Sequence, residues 1–108
     1  MTHTSTVTLT GKSGKTYLFY CYPLNTNFAK AEGLYLFSKL VDRTHTLIYL
    51  GMTQDLSVRF DDHHKEECVK KNAANTHSVH WLSGEETLLT AETDILDNYN
   101  FACNEVNN

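Results

Sequence analysis

A carboxylate set among apolar residues is the first sign of chemistry in this chain. Leu88, Ala91, Ile95, Leu96 and Tyr99 fall at helical spacing on one stripe, and Glu92, four residues after Leu88 and three before Ile95, lies inside it. An ionised carboxylate in a core is costly unless it meets a cation or a metal. The plain alternative is a Glu at the stripe edge that reaches water or pairs with a surface Lys. A second segment repeats the pattern with the opposite sign. Met52, Leu56 and Phe60 are spaced for one helix face, and Arg59 and His63 continue it. There the plain alternative is an Arg whose stem covers the core while its head reaches solvent. Two helices carrying opposite charges on their buried sides point to one shared polar cleft holding Arg59, His63 and Glu92. Tyr35 and Tyr49 fall on neighbouring predicted strands. Buried tyrosines are usually core residues with a satisfied hydroxyl. However, Tyr49 shares a strand face with Leu47 and Gly51, and a glycine there admits another group or a ligand.

The elements that would position these groups can be read from periodicity and breakers. Thr6–Thr10 alternates and is β-branched, Gly11–Lys15 turns, and Thr16–Tyr22 returns as a second strand. Residues 24–32 read as a loop. Gly33–Ser38 reads as a buried strand, 41–46 as a polar turn, and Leu47–Leu50 as the antiparallel partner ending at Gly51. Thr53 can cap a helix from about Gln54 to Lys65, with Asp55 favourable near its start. Ser78–Leu82 reads as a third core strand, Ser83-Gly84 breaks it, and Glu85–Asn98 is the clearest helix.

At 108 residues with 41% hydrophobic content, one globular domain spanning 1–108 is expected, with no membrane span. The N-terminus lacks the regions of a secretion signal, which makes a cytoplasmic protein the expectation. Cys21, Cys68 and Cys103 are odd in number and form no CxxC pair, so reduced thiols in a reducing compartment are expected. The net charge of −4 argues against tight, sequence-independent binding to long duplex DNA. All nine Lys and Arg lie between Lys12 and Lys71, whereas six acids and no Lys or Arg fall in 72–108, so a locally basic surface is compatible with the total.

Order and spacing of these residues resemble the GIY-YIG nuclease family. Gly33-Leu34-Tyr35 resembles the GIY element and Tyr49-Leu50-Gly51 the YIG element. Arg59 follows eight positions after Gly51, His63 stands where relatives carry His or Tyr, Glu92 lies on a later helix, and Asn98–Asn104 resembles the closing segment. The match covers roughly 33–104, leaving 1–32 as an N-terminal hairpin and loop. The gap between the two tyrosine motifs is a few residues longer than in relatives, to be absorbed by a longer hairpin loop. The resemblance implies an α+β fold, with a three-stranded antiparallel core sheet flanked by helices and the N-terminal hairpin added to it. It also implies metal-dependent endonuclease chemistry on nucleic acid, DNA first. Glu92 would hold one Mg²⁺ or Mn²⁺, Arg59 would bind the phosphate, and Tyr49 would accept the proton of the attacking water. Tyr35 would position water or phosphate, His63 would relay a proton, and Asn104 would tie the tail to the site. With no separate DNA-reading module visible, a homodimer or a protein partner would supply specificity.

Two other classes compete. The same fold could bind nucleic acid or protein without cutting. Alternatively, Cys68, His77 and His80, in a histidine-rich stretch with His63 and His64, could assemble a zinc site, although their spacing matches no common finger.

Overall fold

Alternation in the first 23 residues builds a hairpin, and the partner of its second strand sets the architecture. The structure is a computed structural model describing residues 3–58 and 65–104. Its elements are β1 (Ser5–Thr10), β2 (Thr16–Pro23), β3 (Gly33–Val41), β4 (Thr44–Thr53), α1 (Glu66–Lys71), β5 (Thr76–Trp81) and α2 (Glu85–Leu96). All strands join one antiparallel sheet in the order β1-β2-β5-β3-β4, curled into a half-barrel. No helix among the described residues is long and apolar enough to cross a membrane.

The expectation of a three-stranded core flanked by helices is therefore corrected. The hairpin is not an addition. β2 pairs along β5, Tyr20 opposite Val79 and Tyr22 opposite His77, and occupies an edge that would otherwise expose unpaired backbone groups. Helix makes up only 19% of the described residues. The helix expected from Gln54 is absent over the described residues 54–58. Short-range side-chain bonds replace it: Asp55 N–H donates to Thr53 Oγ1 (3.1 Å), and Ser57 N–H and hydroxyl donate to Asp55 Oδ1. Leu56 N–H donates to the Ala31 carbonyl (2.8 Å), so it is not available for a helical bond. Among the described residues the next helix is Glu66–Lys71.

The polar turn expected over 41–46 is also shorter than read. β3 and β4 run on to Val41 and Thr44 and close through Asp42 and Arg43, both at positive φ (51° and 68°). Such a two-residue turn matches the twist of the strands. The extra residues between the tyrosine motifs thus lengthen the strands and feed a bulge opposite Phe37/Ser38 rather than enlarging a loop. The bulge reverses one expected facing. Tyr49 packs in one core layer while Leu47 packs against the other, so the two do not share a face.

Alternate strand residues feed those two layers. Tyr17, Phe19, Leu34, Leu36 and Leu50 meet Leu88, Ala91 and Ile95 of α2. Tyr22, Tyr35, Phe37, Tyr49 and Val79 form the opposite layer with Phe28, Leu56 and Val69. α2 is latched to the first hairpin by Asp94. Its carboxylate accepts Ser13 N–H (2.9 Å), the Ser13 hydroxyl (2.7 Å) and the Tyr17 hydroxyl (2.8 Å). These bonds, Ser13's first, hold Asp94 below the usual carboxylate range. Burial, then the bond to Asp94, pushes Tyr17 up to about 12. The depressed Asp94 contributes stability above the unfolded carboxylate pKa and loses it as pH falls. Tyr17's raised pKa contributes stability below the unfolded phenol pKa and loses it as pH rises toward 12. Asp94→Asn is expected to melt below the parent at pH 7, and the gap should close as pH falls through the titration of Asp94. A gap that persists in acid would mean the carboxylate charge is not the cause.

The thiol expectation is overturned too. Cys68 and Cys103 form a disulfide, leaving Cys21 as a buried free thiol. Two cysteines 35 residues apart are joined because the tail folds back along β4. Cys103 N–H donates to the Ile48 carbonyl (2.7 Å), and α1 brings Cys68 to the same place. Closing a loop of that length contributes about 2–4 kcal/mol by restricting the unfolded chain. A thiol titration should find none reactive in the native protein, one in denaturant, and all three after reduction. Three reactive thiols without reductant would contradict the bond.

Candidate active site

Tyr35 and Tyr49 enter the same layer from neighbouring strands. Tyr35 stands opposite Gly51 in register, and Phe37 opposite Tyr49. The missing side chain at Gly51 is occupied by Tyr35's ring, since a Cβ there would lie 2.5 Å from Tyr35 Oη. The ring thereby reaches past Gly51 toward Tyr49, with ring centroids 6.0 Å apart. Both phenols are nearly enclosed, at 4% and 9% exposed. Their hydroxyls are hydrogen-bonded. The bond joins the two phenols to each other. Desolvation is the larger influence on each and leaves both above the ordinary phenol value.

Glu92 projects from α2, half-buried between the core positions Leu88, Ala91 and Ile95. Its charge is a minor cause of the raised pKa of both phenols. Desolvation holds Glu92 itself above the usual carboxylate range. Asn104 spans the backbone of Leu50 between Tyr49 and Gly51. It accepts Leu50 N–H and donates to the Leu50 carbonyl, both at 2.9 Å. Tyr35, Tyr49, Gly51, Glu92 and Asn104 are thus brought into one neighbourhood. Arg59 and His63 lie outside the described residues. No protein-family profile, curated protein or solved structure matches this chain.

Two features were not legible beforehand. A cavity of about 400 Å³ opens beside the tyrosine layer, floored by Phe28, Phe37, Leu56 and His77 and rimmed by Asn25 and Lys70. His77 stacks on Phe37 at 4.6 Å, and burial pushes it down to about 3, so it is neutral at physiological pH. On the other layer, His45 lies 2.9 Å from the Ser38 hydroxyl and 4.0 Å from the Cys21 thiol. No spacing signal joins three residues drawn from three strands. The zinc reading finds its donors dispersed. His77 and His80 fall on opposite faces of β5, and Cys68 is bonded to Cys103.

A single carboxylate suits a hard cation. Mg²⁺ is commonly bound through one or two carboxylates, with waters and a substrate phosphate completing the shell. Glu92, half-buried and raised by desolvation, is a donor whose ionised form such an ion would stabilise. Glu92 could serve as one oxygen ligand of such an ion, although among the described residues no group of three or more His, Cys, Asp or Glu is assembled around a metal position.

Proposed function

We propose that this chain is a metal-dependent endonuclease of GIY-YIG type, hydrolysing a phosphodiester bond in nucleic acid, with DNA as the first candidate. The observation that carries the reading is the enclosed phenol pair, Tyr35 fitted over Gly51 with its ring centroid 6.0 Å from that of Tyr49. A divalent cation supplies stabilisation of charge on the phosphate and the leaving oxygen. Tyr49 Oη accepts the proton of the attacking water. Tyr35 supports this by donating to the same oxygen, which favours the phenolate. Neutralising Glu92 removes one cause of the raised Tyr49 pKa. Arg59 grips two phosphate oxygens with its planar fork, and His63 relays the proton onward. Asn104 fixes the strand between Tyr49 and Gly51, so the phenol keeps its place.

The test is cleavage of single-stranded, flap and duplex DNA and of RNA, with Mn²⁺ and with chelator. The parent is expected to cut only with metal, while Glu92→Ala and Arg59→Ala remain folded and inactive. A non-cutting binding domain is the second reading, favoured by two phenols that both lie above their ordinary value. It predicts binding without cleavage under every condition.

A further inference from the structure

We infer that the Cys68–Cys103 disulfide pins α1 as a cover over the cavity beside the tyrosine layer, and that reducing the bond releases α1 while the sheet stays folded. This redox-sensitive device goes beyond the nuclease reading and does not rest on it.

α1 is poorly equipped to hold its own place. It has six residues, and helices shorter than about 12 residues are marginal in water without tertiary packing. Val69 is its one buried side chain, whereas Glu67, Lys70 and Lys71 are exposed. The ion pair from Lys70 to Glu66 (2.9 Å) lies within the helix itself. Behind α1 is a cavity of about 400 Å³ instead of packed core, bounded by Val69 and Lys70 and by Phe28, Phe37 and His77. Side chains that line a void lack partner atoms on that side and forfeit the attraction a filled core would give. The disulfide supplies the attachment that packing leaves thin.

The two ends of the bond differ in how firmly they are held. Cys103 is buried in the same layer as Tyr35 and Tyr49, and the tail around it is tied down without help from Cys68. Phe101 is buried, Ala102 and Cys103 donate their N–H groups to the Leu47 and Ile48 carbonyls (3.3 and 2.7 Å), and Asn104 clamps Leu50. Cys68 is half-buried and belongs to α1. A hinge follows the helix. Ala73 has a φ of 62°, a left-handed conformation that a Cβ disfavours. Beyond it Asn75 is anchored, its N–H donating to the Ser38 carbonyl (3.0 Å) and its side chain pairing with the Leu40 backbone. The tail and β5 are thus fixed, and α1 is the part able to swing.

Exposure also sets the route of reduction. A thiolate of a dithiol reductant attacks the accessible Cys68 sulfur, and Cys103 leaves as a thiolate that takes up a proton. Asn72 Nδ2 donates to Cys103 Sγ at 3.5 Å, which steadies that leaving group. The second thiol of the reductant then displaces Cys68. The reductant ends as a cyclic disulfide, and two electrons and two protons have passed to the cysteine pair. Val69 is left to hold a helix too short to persist alone. Release of α1 opens the cavity onto Phe28, Phe37 and His77, and Phe37 adjoins Tyr35 with ring centroids 5.9 Å apart.

The test follows amide hydrogen exchange, residue by residue, in the full chain before and after treatment with dithiothreitol and without denaturant. The bond should be reduced under these native conditions. Amides of Val69, Asn72 and Ala73 should then exchange at least ~tenfold faster, while those of β3 and β5 keep their protection. Trypsin should cut after Lys70 or Lys71 faster in the reduced protein, and reoxidation should restore resistance. Cys68→Ser should behave as the reduced parent with no reductant present, its folding checked by the same β3 and β5 amides. Cys21→Ser should respond to reductant as the parent does, which separates the effect from the third thiol. Equal exchange of the α1 amides in both redox forms would overturn the inference. So would a bond that yields only in denaturant, or loss of protection throughout β3 and β5 on reduction, which would make the bond a support of the whole fold and not the pin of one helix.

Discussion

Glu92→Gln is expected to abolish metal-dependent cleavage and, without metal, to leave the protein at least as stable as its parent. A bound cation contributes several kcal/mol of transition-state charge stabilisation, so the rate should fall on the order of 10²–10³-fold. The stability result follows from desolvation, which holds the Glu92 carboxyl above its unfolded value. A carboxyl so raised contributes stability in its protonated form, fully present below the unfolded pKa and lost as pH rises through the folded one. Above its folded pKa the parent carries the unfavourable charge and the Gln variant does not, and the two should converge as pH falls through the titration of Glu92. Mn²⁺ reverses the order. At one hundred times its Kd it stabilises the parent by about 2.7 kcal/mol. In a chain of this size each kcal/mol corresponds to about 4–8 °C in Tm. The Gln variant should show no such rise. Metal affinity in the parent should also weaken as pH falls, because protons compete for the same oxygens. A thermal melt with and without Mn²⁺ decides the matter: equal rises in both proteins would remove Glu92 from the metal.

Gly51→Ala is expected to damage both the fold and the site. The added Cβ would stand 2.5 Å from Tyr35 Oη and 2.9 Å from Cε1, so the ring must move. It has little room to do so, with Phe37 at 5.9 Å on one side and Tyr49 at 6.0 Å on another. Overpacking of this kind costs typically about 1–3 kcal/mol. Displacing the ring also takes the Tyr35 hydroxyl from Tyr49, whose phenolate then loses the bond that favours it. A misplacement of about 1 Å can cost on the order of 10²-fold in rate. Tyr35→Phe separates the two effects, because it keeps the ring over Gly51 and deletes only the donor. Its activity should fall with less loss of Tm than in Gly51→Ala. Unchanged cleavage in Tyr35→Phe would show that the donated bond does not serve the chemistry.

Local pattern determined a good part of the molecule. The alternation around Gly11–Lys15 defines the first hairpin, the apolar run from Gly33 defines β3, and the stripe Leu88–Ala91–Ile95 defines α2 and its half-buried Glu92. In each case the signal lies within a few residues of the element it specifies. Tyr35 and Tyr49 were legible as neighbours for the same reason, since a hairpin joins their strands. What tertiary structure alone decided depends on groups far apart in the chain. β5 could have ended the sheet, but β2 returns to pair with it, which makes the hairpin part of the core and sets Tyr20 beside Trp81. Leu56 N–H bonds to Ala31 rather than to a helical carbonyl, so a helical pattern became a turn. Cys68 and Cys103 meet only because the tail pairs with β4, and no count of cysteines contains that fact. Periodicity records which face a residue prefers to bury. Which partner covers that face is settled by competition among all the unpaired backbone groups and apolar surfaces of the chain at once.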